Sequence, residues 1–411
     1  MNRPDNLERE LTAWFTDTAA PRTPDFTDDI LRLTAATRQR PRWTFPERWL
    51  PMSVITLGRR TLSPIPWRTI GLIAVLALLI AAAAAVYVGS QPRLPAPFGV
   101  ARNGAIVSEQ GGDIVRIDPV SGSRSTIIDG PVPAEDEPVH SRDGTHLAFV
   151  REIARARSLW VSDADGANQR QLSTDGLVEF AGIAWSPDGH SIATTAVVDG
   201  VSSISIVPTD SGVARVLDVG MPADGPQWRP PDGREILFRG TSPAGFGLFA
   251  VRPDGTGLRP VTASNGINEW DALFFDWSPD GAQVAYQWRD GNGLQLIYVV
   301  SAEGGTRRAV TKVESVAPSW SPDGTKILFI GFGQGSTGNL SVVASDGSGR
   351  MIQGPPDTGF DAVWMPDGTR VLFSGASTST VMLIDPASGS TEPASWSLSH
   401  PSNPDWQRLA P

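Results

Sequence analysis

An all-β fold, a β-propeller of seven blades, is what this 411-residue sequence predicts. Two observations carry the prediction: a tryptophan-bearing turn motif in six graded copies, and an incomplete half-blade at either end of the repeats. A third, an apolar run at Ile70–Val88 ahead of the repeats, adds one helix outside that fold.

The motif reads Trp, a small residue, Pro, Asp, Gly, and then an apolar alternation ending in an aromatic. It stands unbroken at Trp185-Ser186-Pro187-Asp188-Gly189, Trp277-Ser278-Pro279-Asp280-Gly281 and Trp320-Ser321-Pro322-Asp323-Gly324. Trp364-Met365-Pro366-Asp367-Gly368 departs by one residue, and Trp228-Arg229-Pro230-Pro231-Asp232-Gly233 carries an insertion. His140-Ser141-Arg142-Asp143-Gly144 is the most degenerate copy, with His in the Trp place and Arg in the Pro place. Successive glycines lie 43–48 residues apart, the length of a four-stranded blade.

Each residue type has a physical reason to be there. Asp-Gly between alternating runs supplies the positive φ of a tight hairpin. Proline fixes one dihedral and cannot extend a strand ladder. A large indole repeated once per unit packs between neighbouring blades, which must interlock to bury a common core. Downstream, Ile236-Leu237-Phe238, Ile327-Leu328-Phe329 and Val371-Leu372-Phe373 are second strands. Runs such as Leu296-Ile297-Tyr298-Val299-Val300 are third strands, and a short fourth follows a turn such as Pro253-Asp254-Gly255.

The pattern resembles the TolB-like, WD40-like propeller repeat over roughly residues 100–408. That resemblance implies a propeller binding a protein, peptide or glycan at the cell envelope. Asn103-Gly104-Ala105-Ile106-Val107 reads as a second strand lacking its first, and Pro404-Asp405-Trp406 as a first strand with its Trp. Joined, they complete a blade and leave no open sheet edge. Turns at Gly104, Gly144, Gly189, Gly233, Gly281, Gly324 and Gly368 then count seven blades. Six is the alternative, since the TolB propeller itself has six.

Composition bounds the chemistry. There is no cysteine, which excludes disulfides, thiolate nucleophiles and cysteine metal sites. The net charge is −10; residues 1–69 carry eleven Arg against eight acids, leaving the remainder near −13. An acidic body argues against nucleic acid as a partner.

The run IGLIAVLALLIAAAAAVYV has no charged side chain and is long enough to cross about 30 Å of hydrocarbon as a helix. Trp67 and Tyr87 sit at its ends, as interfacial rings do. A buried Ala-rich core helix is the competing reading. Nearly seventy residues precede the run, which argues for an uncleaved anchor over a signal peptide. Arg38, Arg40, Arg42, Arg48, Arg59, Arg60 and Arg68 flank it on the N-terminal side, opposed there only by Glu47. The positive-inside bias therefore keeps the N-terminus cytoplasmic and places the propeller outside.

Four segments follow: residues 1–66, a partly helical cytoplasmic tail; 67–90, a transmembrane helix; 91–99, a Pro-rich linker; 100–411, the propeller. In the tail, Leu7, Leu11, Trp14 and Phe15 have helical spacing, and Thr23-Pro24-Asp25 opens a second helix carrying Phe26, Ile30 and Leu33 on one face. The aromatic and basic stretch Trp43–Pro51 reads as a membrane-interface anchor or as a docking site for a cytoplasmic protein.

No catalytic constellation emerges, so catalytic, cofactor and metal residues are all expected to be none, with the ligand-binding residues unknown. His140, His146, His190 and His400 lack metal or triad spacing. Gly331-Phe332-Gly333-Gln334-Gly335 lies between two strands and lacks the lysine of a phosphate loop. Asp163-Ala164-Asp165-Gly166 has oxygens for calcium but no downstream Glu. The expectation is a non-enzymatic scaffold or sensor at the cell envelope. The alternatives are a transmembrane signal transducer of anti-sigma-like architecture, whose tail binds a cytoplasmic regulator, and a propeller enzyme of hydrolase or lyase type.

Overall fold

The repeat folds into seven four-stranded antiparallel sheets in the computed structural model. The described residues are 67–90, 96–129, 135–153, 156–173, 182–263, 271–332, 338–348, 351–356, 362–374, 381–394, 396 and 402–410. Two compact units divide the chain, Met1–Gln91 and Pro92–Pro411. In the first, helix α1 spans Trp67–Ser90, with side chains described over 71–82, where Leu72, Ile73, Leu78 and Leu79 are exposed. The expected helix is therefore present, but its crossing of a membrane is not shown. Among the described residues no helix is long and apolar enough to do so. Both expected tail helices lie outside the described residues.

Blade I joins β28 (Ser402–Leu409) to β1 (Arg102–Gln110), β2 (Asp113–Ile117) and β3 (Arg124–Ile128). Blade II is β4 (Glu135–His140), β5 (His146–Ile153), β6 (Ala156–Asp163) and β7 (Arg170–Ser173). Blade III is β8 (Ala184–Trp185), β9 (Ser191–Val198), β10 (Val201–Pro208) and β11 (Arg215–Leu217). Blade IV is β12 (Ala223–Trp228), β13 (Ile236–Ser242), β14 (Gly245–Val251) and β15 (Arg259–Pro260). Blade V is β16 (Phe275–Trp277), β17 (Gln283–Arg289), β18 (Gln295–Ser301) and β19 (Arg308–Ala309). Blade VI is β20 (Glu314–Trp320), β21 (Lys326–Phe332), β22 (Gly338–Ala344) and β23 (Ile352–Pro356). Blade VII is β24 (Val363–Trp364), β25 (Val371–Ser374), β26 (Val381–Ile384) and β27 (Thr391–Pro393). Seven blades is the count, and β28 pairs with β1 from Arg102↔Leu409 to Glu109↔Ser402.

The motif turn is a closed hydrogen-bond unit. In four copies the serine hydroxyl donates to the aspartate two residues on at 2.6 Å: Ser141 to Asp143, Ser186 to Asp188, Ser278 to Asp280 and Ser321 to Asp323. The same hydroxyl accepts the backbone N–H five residues on, as from Gln283 at 2.9 Å. The Ser278 hydroxyl holds the Asp280 carboxyl below its ordinary pKa. All six motif glycines have φ between +66° and +72°, as Asp-Gly turns require. In blade IV, Arg229 replaces the serine and bridges to blade V instead: its Nε donates to the Gly281 carbonyl at 2.9 Å and its Nη1 to Glu303 at 2.8 Å.

Gly104 corrects one expectation. It is not a turn glycine but lies inside β1, against β28, where a Cβ would come within 2.8 Å of Gln407. The blade count survives because β28 and β1 belong to one sheet.

Apolar packing runs between blades, as the indoles require. Trp228 of blade IV packs with Ile204, Ile206 and Leu217 of blade III. Trp320 meets Ile297 and Val299 of blade V, and Trp406 of blade I meets Leu372 and Val381 of blade VII. Innermost strands bulge at Glu137, Gly225 and Ala317, each with positive φ. The freed N–H of Gly225 goes to Thr195 Oγ1 at 3.1 Å and that of Ala317 to Gln287 Oε1 at 3.2 Å, both on the preceding blade, while that of Glu137 goes to Asp136 Oδ1 of its own strand at 2.7 Å.

Candidate functional site: the central channel

First strands of all seven blades converge on one cavity of about 290 Å³. The Trp or His at the ring position of each first strand lines it, and in six blades so does the residue before it: Val139, Gln227, Asp276, Ser319, Val363 and Asp405.

A partial belt of bonds runs round the ring at this level. Four indole N–H groups reach back to the carbonyl of the residue preceding the previous blade's ring residue, while those of Trp320 and Trp406 are buried without a partner among the described residues. Trp185 donates to Val139 at 3.0 Å, Trp228 to Ala184 at 3.0 Å, Trp277 to Gln227 at 3.5 Å and Trp364 to Ser319 at 3.3 Å. Where carboxylates enter, the pattern changes. Asp276 Oδ2 accepts the backbone N–H of Trp320 at 2.7 Å, and Asp405 Oδ2 accepts the backbone N–H of His140 at 2.8 Å. The His140 ring replaces the indole, with Nδ1 2.8 Å from the same oxygen. Its Nε2 is buried without a partner among the described residues. The most degenerate motif copy thus keeps blade II linked to blade I by an imidazole–carboxylate bond in place of an indole–carbonyl one.

Two arginines complete the lining. Arg142, which stands in the Pro place of its motif, lies over the Phe98 ring at 4.6 Å. Arg408 Nη2 donates to the carbonyls of Ala96 at 3.1 Å and Gly99 at 2.7 Å. Residues 96–99, expected as part of a spacer, therefore form a strap lying against the motif end of the channel, continued by a bond from Ala101 N–H to the Pro366 carbonyl at 2.9 Å. Burial lowers the pKa of both arginines, that of Arg408 to about 10, with the Arg142 charge adding to the effect. Burial also pushes Asp276 up to about 6, against the pull of the Trp320 N–H and the Arg142 charge.

A stability prediction follows from Asp276. Its folded carboxyl titrates near 6 and an unfolded aspartate near 3.8, so the native state holds the extra proton between those values. Stability from this group is full below pH 4 and falls as pH rises to 6. Asp276→Asn, which can still accept from Trp320, is expected to stabilise the protein by about 1–3 kcal/mol at pH 7.5 and by almost nothing near pH 4. Thermal unfolding at the two pH values checks it; equal shifts at both would refute it.

The other expected candidates fall elsewhere. His146 Nδ1 meets Thr145 Oγ1 at 2.8 Å on the rim, and His190 is exposed beside its own motif turn. His400 lies outside the described residues, as do residues 333–337 of the glycine-rich loop. Asp163 and Asp165 accept bonds from Asn168 and Ala167 within their own turn, at 2.6 and 3.0 Å. Among the described residues, no group of three or more His, Asp or Glu is placed to hold a metal. A second cavity of about 570 Å³, largely apolar, opens between blades V and VI beside Phe274, Val316 and Phe332.

Fold and site define a closed seven-bladed propeller with a narrow, charged channel. Part of the chain is similar in sequence to TolB homologues. No family profile matches it. It is 27% identical over 209 residues to an uncharacterised protein of Agrobacterium fabrum, covering 46% of this chain and 67% of that one. It is 29% identical over 144 residues to the TolB homologue of Chlorobium luteolum, covering 35% of this chain but only 31% of the homologue's length. Among solved structures, an oligogalacturonate lyase in complex with manganese superposes with a TM-score of 0.54 at 15% identity, covering 66% of this chain and 81% of that one. At that identity the likeness shows the propeller fold alone.

Proposed function

We propose that this protein is a non-catalytic binding scaffold or sensor of the cell envelope, anchored by α1 with its N-terminus cytoplasmic and its propeller outside. The TolB-like repeat supports the envelope role, and the arginine-flanked apolar sequence of α1 supports the anchor. The observation that carries the non-catalytic reading is the state of His140. Its backbone N–H and its Nδ1 both bond to Asp405 and its Nε2 is buried, which supports a role in joining blades I and II over one in turnover. Its partners on this reading are a protein, peptide or glycan at a propeller face, lipid around residues 70–88, and a cytoplasmic protein for the tail.

The cysteine-free sequence makes topology directly testable. Val120→Cys, at a site 91% exposed on blade I, should react in intact cells with a membrane-impermeant maleimide. Ala20→Cys in the tail should react only after lysis. The opposite pattern, or equal labelling of both, overturns the anchor and its orientation. Photo-crosslinking of the full chain in cells should then capture an envelope component, and recovery of none counts against the scaffold.

A further inference from the structure

We infer that the channel lumen is a binding site for a single carboxylate group, with the Arg142 guanidinium as its anchor. The inference concerns the lumen and stands apart from partner capture at the outer faces, so either can fail alone.

Four motif copies place a proline at the channel mouth: Pro230, Pro279, Pro322 and Pro366. Blade II places Arg142 there, as blade I places Arg408 two residues after Trp406, and Arg408 is already bonded to the strap carbonyls. Among the described residues no hydrogen bond or ion pair within 4 Å ties the Arg142 guanidinium, although Asp405 and Asp276 attract it through space. Phe98 lies over it at 4.6 Å, leaving the N–H edge, a fork of fixed geometry, to be satisfied from the lumen.

One oxygen of each acid already present is engaged. Asp405 Oδ2 receives two bonds from His140, and Asp276 Oδ2 receives the Trp320 N–H. Burial holds Asp276 toward its neutral form, and Arg408 grips the strap carbonyls. Two guanidinium groups face two carboxyl groups there, so what stands in surplus is the unbonded N–H edge of Arg142. A carboxylate matches it, since its two oxygens accept a bidentate guanidinium bond. A cavity of about 290 Å³ is at the small end for ligands and admits a small acid or the end of a chain, not a folded partner.

Calorimetric titration of the full chain with N-acetylalanine and with N-acetylalaninamide, which differ only at the carboxylate, tests the site. The acid should bind at least about tenfold more tightly than the amide, and Arg142→Gln should erase the difference while near-ultraviolet circular dichroism stays unchanged. If the glutamine variant does not fold, Arg142→Lys decides: several-fold weaker binding of the acid supports the site, and unchanged binding overturns it. Succinate in place of N-acetylalanine separates a free small acid from a peptide end as the source of the carboxylate. Equal binding of acid and amide, a preference retained in Arg142→Gln, or no binding of either acid up to about 10 mM overturns the inference.

Discussion

Deleting residues 402–411 is expected to abolish cooperative unfolding of the propeller. Those residues hold β28, the innermost strand of blade I, and with it the closure of the ring. Trp406, 4% exposed, fills the seam between blades VII and I beside Leu372 and Val381. Loss of such a side chain alone costs about 3–5 kcal/mol. The deletion also removes the Asp405 acceptor from His140 and bares the ladder edge of β1 and the seam face of blade VII. Together these exceed a large part of the about 5–15 kcal/mol that a domain has to lose. Urea unfolding followed by tryptophan fluorescence reads the outcome. A sharp transition at the full-length midpoint and slope would show that the ring does not depend on this closure, whereas Trp406→Ala should keep the transition and lower its midpoint.

The second large effect separates two motif glycines that look identical in sequence. Gly189→Ala should cost about 1–2 kcal/mol, the penalty of a left-handed backbone for an L-residue, because nothing lies within 4 Å of the added Cβ. Gly281→Ala should cost about 3–5 kcal/mol, since its Cβ is directed onto the Pro230 carbonyl of the neighbouring blade as well. The difference between their urea midpoints isolates the blade-to-blade approach from the turn itself. Equal costs would mean that the blades yield freely at this contact.

Sequence periodicity exposed the blades because a physical need recurs every 43–48 residues: a turn with positive φ and an indole for the seam. It misread Gly104, since a glycine required by a close backbone approach is indistinguishable in sequence from one required by a turn. Arg142 read as decay of a turn motif, when in the fold its place turns toward the lumen. Asp276 and Asp405 carried a usable signal, their place directly before the ring position, which lines the channel in six of the seven blades. The strap escaped detection altogether: QPRLPAP has the composition of an extended spacer, and only the carbonyl contacts to Arg408 reveal where its end lies.

A ring whose first-made sheet waits for its last-made strand imposes an order on biogenesis. Arg102 finds its partner only in Leu409, and at about 5–20 residues per second the ribosome takes roughly 15–60 s to travel between them. Throughout that interval the earliest blade presents a bare ladder and an unfilled aromatic socket to whatever surrounds the nascent polypeptide. Chaperone occupancy should therefore peak on this stretch and fall only once β28 has been made, making that strand the latch that releases a closed ring.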